Sequence, residues 1–294
     1  MKSESFFKAR HQTNWDWRAA GNFICGGSGC SLLIFAAVFS GAEVAYRPFG
    51  ISGLLLIALG LFSVALEIGR PFRSLNVFRH VHTSWMTREA MVAGPLFMCG
   101  AMAVWTGSAL WIWLTALLAF SFLYCQARMV YAAKGVPAWR ARRTGPLFFV
   151  TGLTEGAGLL VLGAVLLGAR SPVTGVVVVL ALLIIARALL WRSYRAELGD
   201  SAAPKQTLAA LDSIDFAFVK IGHWVALALL LLSLAMPSMG GAWLAAAAGL
   251  LAASGGWLLK YTVIVPAAFL QGYALPRLPV RGRGVPVQRQ GAKL

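Results

Sequence analysis

Eight apolar blocks, each about as long as a bilayer is thick, constrain this chain more than any other feature. A helix of about 20 apolar residues crosses the roughly 30 Å hydrocarbon core of a membrane. Because no water is available there, each block must satisfy its own backbone hydrogen bonds, so we expect a helix. The alternating pattern of an outer-membrane strand is absent. The blocks cover approximately residues 21–41, 50–68, 90–106, 109–130, 145–168, 173–191, 216–236 and 241–269.

Composition supports the same class of protein. Only 12% of the residues are charged, whereas soluble domains carry about 25%. The sequence therefore predicts an all-α integral membrane protein, a bundle of eight transmembrane helices. We predict three regions: a cytoplasmic N-terminal segment (1–20), the eight-helix transmembrane domain (21–270) and a basic cytoplasmic C-terminal tail (271–294).

Lys and Arg are divided unequally between the two sets of connections. The N-terminal segment, the second-to-third, fourth-to-fifth and sixth-to-seventh connections and the tail are basic, whereas the opposite loops hold only Arg47 and Arg170. The positive-inside rule then puts the N and C termini in the cytoplasm, and we expect a multi-pass protein of the bacterial inner (cytoplasmic) membrane. Anionic membrane lipids can attract the net charge of +16. Without a recognisable nucleic-acid module we expect no nucleic-acid partner.

The chain has few ligands for redox metals. Its four cysteines form no CxxC pair, and one histidine, His223, lies inside an apolar block. A haem b between helices usually needs two such histidines. We therefore expect no metal site, no haem and no iron–sulfur cluster in this chain, and read the cysteines as small packing residues.

Polar residues collect at the predicted cytoplasmic ends of the first four blocks. Glu67 and Glu89 bracket an arginine-rich loop, which is either an ion-paired interfacial loop or part of a functional pathway. Trp17 lies in the stretch that enters the first block and belongs either to an aromatic belt or to a pocket for a flat ring. Asn22 follows one turn deeper, and Tyr124 and Tyr131 end the fourth block on the same side.

Two further features lie deeper in the blocks. Glu155 is near the middle of the fifth block, where a charge costs about 2.5–3.5 kcal/mol on insertion scales. We expect it to be protonated, paired or on a proton pathway. The small residues at 26–29, and Gly152 with Gly156, have the spacing of close helix packing, which we favour over a ligand role.

The motifs at this end resemble a known family. The stretch Gly69-Arg70-Pro71-x-Arg73-x-Leu75-Asn76, the following Thr83-Ser84-Trp85-x-x-Arg88-Glu89 and the eight blocks together resemble the anchor subunit of dimethyl sulfoxide reductase (DmsC) and the wider NrfD-like group. The 124–131 stretch and Leu259-Lys260-Tyr261 add weaker support. The opening 14–23 looks like members of this group associated with phenylacetyl-CoA:acceptor oxidoreductases.

The resemblance implies a function. Such a subunit is haem-free, binds a quinone (menaquinone or ubiquinone) and anchors a ferredoxin-like, four-cluster iron–sulfur subunit, which contacts a molybdopterin catalytic subunit where the main chemistry occurs. Glu89 matches the family's carboxylate, and Glu67 stands where the dimethyl sulfoxide reductase anchor has a histidine. We predict the following roles: catalytic, Glu67 and Glu89; quinone-binding, Trp17, Asn22, Arg70, Tyr124 and Tyr131; proton pathway, Glu155; partner docking, Arg73, Arg79 and Arg140.

Two alternatives remain at this stage. A secondary transporter would place charge at the membrane midplane, as Glu155 does, but it would usually also show paired broken helices in two matching halves. A purely structural anchor would lack a quinone site altogether.

Overall fold

A computed structural model describes residues 9–41, 44–66, 81–170, 173–201, 203–236 and 238–273. Within those residues, eight helices are long and apolar enough to cross a membrane, which confirms the predicted helical membrane bundle. The elements in chain order are β1 (Ala9–His11), α1 (Trp17–Phe39), α2 (Tyr46–Ala65), α3 (Trp85–Thr106), α4 (Ala109–Ala132), α5 (Pro137–Arg140), α6 (Thr144–Leu166), α7 (Thr174–Asp200), α8 (Lys205–Asp212), a π-helix (Phe216–Val225), α9 (Ala226–Ala235), α10 (Met239–Ile264) and β2 (Phe269–Tyr273).

Some helices extend past the apolar blocks. Helix α7 continues to Asp200 rather than ending at 191, and α3 begins at Trp85 rather than at 90. Ser84 caps α3 by accepting a hydrogen bond from the Thr87 amide. The extra turns are polar, so hydropathy detected the part of each helix suited to lipid and not its hydrogen-bonded ends.

A two-stranded antiparallel sheet joins the two ends of the described chain, a feature that the all-α prediction did not include. Strand β1 pairs with β2. His11 Nε2 lies 2.7 Å from the Val265 carbonyl oxygen, and the backbone N–H of Gln12 donates to the Ala268 carbonyl at 2.9 Å. We call the bundle end that carries this sheet the terminal end. Its location in the cytoplasm stays a prediction.

Helix α1 lies at the centre of the bundle, where it packs against α2, α4, α6 and α10. Glycines permit these close approaches. A Cβ on Gly29 would lie 2.6 Å from the Gly53 carbonyl oxygen of α2, and one on Gly156 would collide with the Ser31 backbone. The predicted packing role of these small residues is therefore confirmed for Gly29 and Gly156.

Candidate functional site

Two adjacent glycines of α1, Gly26 and Gly27, admit polar side chains from neighbouring helices. In a helix, the side chain of residue i+4 stands close to the carbonyl of residue i. With glycine at 26 and 27, the carbonyls of Asn22 and Phe23 are open to donors. Gln126 Nε2 donates to the first at 3.0 Å and Lys260 Nζ to the second at 2.8 Å. A Cβ at either glycine would collide with the donor atom, so a larger residue at position 26 or 27 would displace the Gln126 or Lys260 side chain.

Glu89 accepts a hydrogen bond from the same Gln126 side-chain amide. Gln126 Nε2 donates to Glu89 Oε1 at 3.0 Å, and Asn22 Nδ2 donates to the same oxygen at 3.3 Å. Glu89 is only 4% exposed, and Asn22 and Gln126 are 4% and 2% exposed. Both donors are neutral, and within the described ranges no Lys or Arg forms a salt bridge with Glu89. This carboxylate is thus buried in a membrane span with amide partners only among the residues whose contacts are known.

Glu155 is held differently. Lys260 Nζ lies 2.7 Å from Glu155 Oε2 in an ion pair whose members are 1% and 0% exposed, respectively. Ser28 Oγ donates to the same oxygen at 2.8 Å, and Trp257 Nε1 donates to Ser28 Oγ at 2.9 Å. Of the three expectations for Glu155, the structure shows the paired one. Its role in a proton pathway stays a prediction.

A third buried charge, Arg187 of α7, has neutral partners. Its Nε donates to His223 Nε2 at 3.1 Å, and its two terminal nitrogens donate to the carbonyls of Ala252 and Gly222 at 2.8 and 2.9 Å. Because Nε2 accepts from Arg187, we assign the His223 ring proton to Nδ1, which donates to the Phe218 carbonyl at 2.6 Å. Phe218 lies five residues before His223, the spacing that a π-helix aligns.

An apolar pocket of about 550 Å³ opens between α4 and α6 near the terminal end. Tyr124 packs edge-on against Trp85, with ring centroids 5.7 Å apart. The Arg128 guanidinium lies 5.2 Å from the Trp85 ring and 5.3 Å from the Tyr131 ring, and its buried Nε has no partner among the described residues. Trp85 precedes Glu89 by one turn of α3, so the two side chains lie on the same face of that helix. The lining residues are Phe120, Tyr124, Ala127, Arg128, Tyr131, Arg142, Gly145, Pro146, Phe149 and Val150.

The structure divides the predicted quinone-binding residues between two neighbouring places. Asn22 hydrogen-bonds Glu89 in the interior, whereas Tyr124 and Tyr131 line the α4/α6 pocket. Trp17 is 60% exposed at the start of α1, and Arg140 is exposed at the end of α5. The remaining predicted positions, Glu67, Arg70, Arg73 and Arg79, lie outside the described residues.

Sequence reasoning did not single out Gln126, Lys260, Arg187 or His223 as functional. A signal was present, because each is a polar side chain inside an apolar block. What the sequence did not contain was the partner of each one, which comes from a different helix.

Comparison with known families now adds to this geometry. A family model described as DMSO reductase anchor subunit (DmsC) matches residues 23–239, which include Glu89, Gln126 and Glu155. The chain belongs to this family. A comparison with curated proteins finds no match.

Membership of the DmsC family confirms the resemblance inferred from the sequence motifs. The protein is therefore a multi-pass membrane protein of the anchor-subunit type, which belongs to a molybdoenzyme complex. The match begins one residue after Asn22 and ends before Lys260. Each of the two hydrogen bonds to an α1 carbonyl therefore has one partner inside the DmsC match, Gln126 or Phe23, and one outside it, Asn22 or Lys260.

Proposed function

We propose that this DmsC-family chain is a haem-free, quinone-reactive membrane anchor that exchanges electrons between a docked iron–sulfur subunit and the membrane quinone pool. The observation that carries the proposal is the buried Glu89 carboxylate, held by the neutral amides of Asn22 and Gln126. Ionisable residues inside membrane spans are expensive and are usually functional. A carboxylate without a described ion partner is free to change its protonation state.

The lining of the α4/α6 pocket fits a quinone. A quinone needs an apolar space for its ring and tail and polar hydrogens for its two carbonyl oxygens. Phe120 and Phe149 would contact the apolar parts in the α4/α6 pocket, and the hydroxyls of Tyr124 and Tyr131 and the unpartnered Arg128 Nε would supply donors. Menaquinone and ubiquinone share these requirements. When bound, either would supply two-electron, two-proton redox chemistry.

The chain's own task in that chemistry is proton handling and orientation. Glu89 would hold or release a proton at its carboxylate, the usual role of a positioned acid–base group. Asn22 and Gln126 fix Oε1 of that carboxylate, and Trp85, one turn before Glu89 on α3, packs against the pocket residue Tyr124. Glu67 and Arg70 stay part of the proposal from the sequence motif alone.

We propose that the electrons come from or go to a bound partner, because the sequence has no CxxC pair and one histidine inside an apolar block. We propose that a ferredoxin-like four-cluster subunit docks on the terminal end and contacts a molybdopterin catalytic subunit. Arg140 is exposed there on α5, whereas Arg73 and Arg79 lie outside the described residues and are part of this proposal from the sequence alone. Crosslinkers placed at Arg140 should reach a cysteine-rich subunit. A redox partner found on the Arg47 side would overturn this arrangement.

The test of quinone reactivity is Glu89→Gln in the intact complex. This change keeps the size of the side chain but removes proton exchange. We expect normal assembly, normal activity with an artificial dye acceptor and at least a tenfold loss of quinone turnover, because a positioned acid–base group typically contributes about 10²- to 10⁴-fold. Asp200→Asn is the matched control, since Asp200 is an exposed carboxylate at the end of α7.

Each outcome decides between candidates. Normal quinone turnover in Glu89→Gln and in Glu67→Gln would place the reaction elsewhere in the bundle. Loss of assembly in Glu89→Gln would instead favour a purely structural anchor.

A further inference from the structure

We propose that Gln126 is a positioning residue that fixes the Glu89 carboxylate, and that Gly26 makes this possible. The inference rests on the proposed function, because it assigns Gln126 to the same site. It adds a residue that lies outside the motif joining the second and third spans.

Gln126 uses both of its donor hydrogens. A carboxamide NH₂ has two hydrogens. Gln126 Nε2 has two acceptors at hydrogen-bond distance, the Asn22 carbonyl and Glu89 Oε1, both at 3.0 Å. The side chain is only 2% exposed. Its donors are therefore both used, and the amide cannot be turned over without placing its own oxygen against two other acceptors.

The Gln126 amide packs against Gly26 of α1. A Cβ on Gly26 would collide with Gln126 Nε2 and would lie 3.2 Å from its Cδ. The amide thus occupies the space that any other residue at position 26 would fill. Because the Asn22 carbonyl belongs to the helix backbone, the amide is held against a rigid element.

The contacts of Gln126 with α1 also restrain the Glu89 carboxylate. The backbone of α1 accepts one hydrogen bond from Gln126 of α4, and Glu89 Oε1 of α3 accepts the other. Gln126 therefore fixes the position of the Glu89 carboxylate relative to the backbone of α1. Asn22 adds a second, longer bond of 3.3 Å to the same oxygen. Catalytic groups need to be held within about 0.5 Å of the productive position. Gln126 provides the shorter of the two described restraints on Glu89.

The experiment compares Gln126→Met with Gly26→Ala in the purified complex. Met is similar in length to Gln and has no donor, whereas the Ala Cβ displaces the wild-type amide. Infrared spectroscopy first identifies the Glu89 carboxyl band as the band that is lost in Glu89→Gln. We expect both single variants to shift this band in the absence of quinone and to lower quinone turnover about fivefold to tenfold at unchanged dye-linked activity.

A double variant and a control complete the design. Because both changes remove the same hydrogen bond, Gln126→Met with Gly26→Ala should be no more impaired than the worse single variant. Gly21→Ala is the control on α1: its Cβ would lie 3.2 Å from Ser63 Oγ and touches neither Gln126 nor Glu89, so the band should not move.

The outcomes separate this inference from the function on which it rests. A Glu89 band and a quinone turnover that stay unchanged in Gln126→Met would overturn the role of Gln126, even if Glu89→Gln abolishes turnover. Normal quinone turnover in Glu89→Gln would contradict the proposed catalytic role of Glu89, while a shifted Glu89 band in Gln126→Met would still support the positioning role. If Gly26→Ala does not assemble, Gln126→Met decides alone.

Discussion

The two buried carboxylates, Glu89 and Glu155, have the same geometry but different chemistry. In each case one side chain donates hydrogen bonds both to the carboxylate and to a backbone carbonyl of α1, and it packs against a glycine of α1. That side chain is Gln126 at Gly26 for Glu89, and Lys260 at Gly27 for Glu155. The donor to Glu89 is a neutral amide, whereas the donor to Glu155 is an ammonium group.

This difference separates a functional from a structural expectation. A buried ion pair is costly to form, and removing one member leaves an uncompensated charge. Glu155 should therefore respond to mutation through stability. Glu89 keeps neutral partners in either protonation state, so its loss should appear in turnover.

The largest effect is expected for Lys260→Met, which leaves Glu155 without its ammonium partner. Breaking a buried pair costs about 3–5 kcal/mol, so the complex should melt at a much lower temperature or fail to assemble, as measured by thermal denaturation in detergent followed by size-exclusion chromatography. Adding Glu155→Gln should restore most of the stability. Wild-type stability in the single variant would contradict the structural role of the pair.

The same double variant tests the predicted proton pathway. If Glu155 carries protons, the assembled Glu155→Gln, Lys260→Met complex should lose quinone turnover at normal dye-linked activity. Normal quinone turnover there would leave Glu155 with a structural role only.

The comparison can be inverted with Gln126→Lys, which gives Glu89 an ammonium partner like that of Glu155. Because the ion pair would hold the carboxylate in its charged form, we expect at least a tenfold loss of quinone turnover, equivalent to about 1.4 kcal/mol of transition-state stabilisation. Assembly should persist. Steady-state kinetics with a soluble quinol or quinone measures the effect, and unchanged turnover would mean that the charge of the partner does not matter.

A smaller effect is expected for Ser28→Ala. The hydroxyl donates to Glu155 and accepts from Trp257, so its loss removes two hydrogen bonds but keeps the Lys260 pair. A typical bond contributes about 1 kcal/mol, and thermal denaturation should show a decrease far below that of Lys260→Met. Thr154→Ala is a control, because among the described residues that hydroxyl bonds just the Val150 carbonyl of its own helix. Equal effects of the two changes would contradict a specific role for Ser28.

The smallest effect is expected for Asp16→Ala, at the start of α1 outside the membrane. Asp16 caps the helix through the Arg18 amide, and the Arg18 side chain lowers the pKa of Asp16 below 3.8. A lowered pKa in the folded state means that the stabilisation is present above pH 3.8 and is lost as the pH falls through the folded value. We expect a cost of about 0.5 kcal/mol at neutral pH that vanishes in acid, as measured by melting at several pH values. A difference that persists in acid would exclude this cap.

Much of the fold could be predicted from the chain alone because its causes are local. A span is recognised by its length and hydropathy, and the eight apolar blocks correspond to the eight helices of the bundle. The polar ends of α3 and α7 and the β1–β2 sheet were missed. The helix ends depend on capping and hydrogen bonding instead of hydropathy, and the strands pair residues from opposite ends of the chain.

The sequence by itself also indicated the family and identified Glu89 and Glu155 as unusual charges, since a carboxylate in or beside a membrane span stands out without any neighbour. Only the tertiary structure decided which partner each one has. A helix that is apolar on all sides carries no periodic signal for its rotation about its own axis. The packing of α4 and α10 against α1 at Gly26 and Gly27 brings an amide to one carboxylate and an ammonium group to the other.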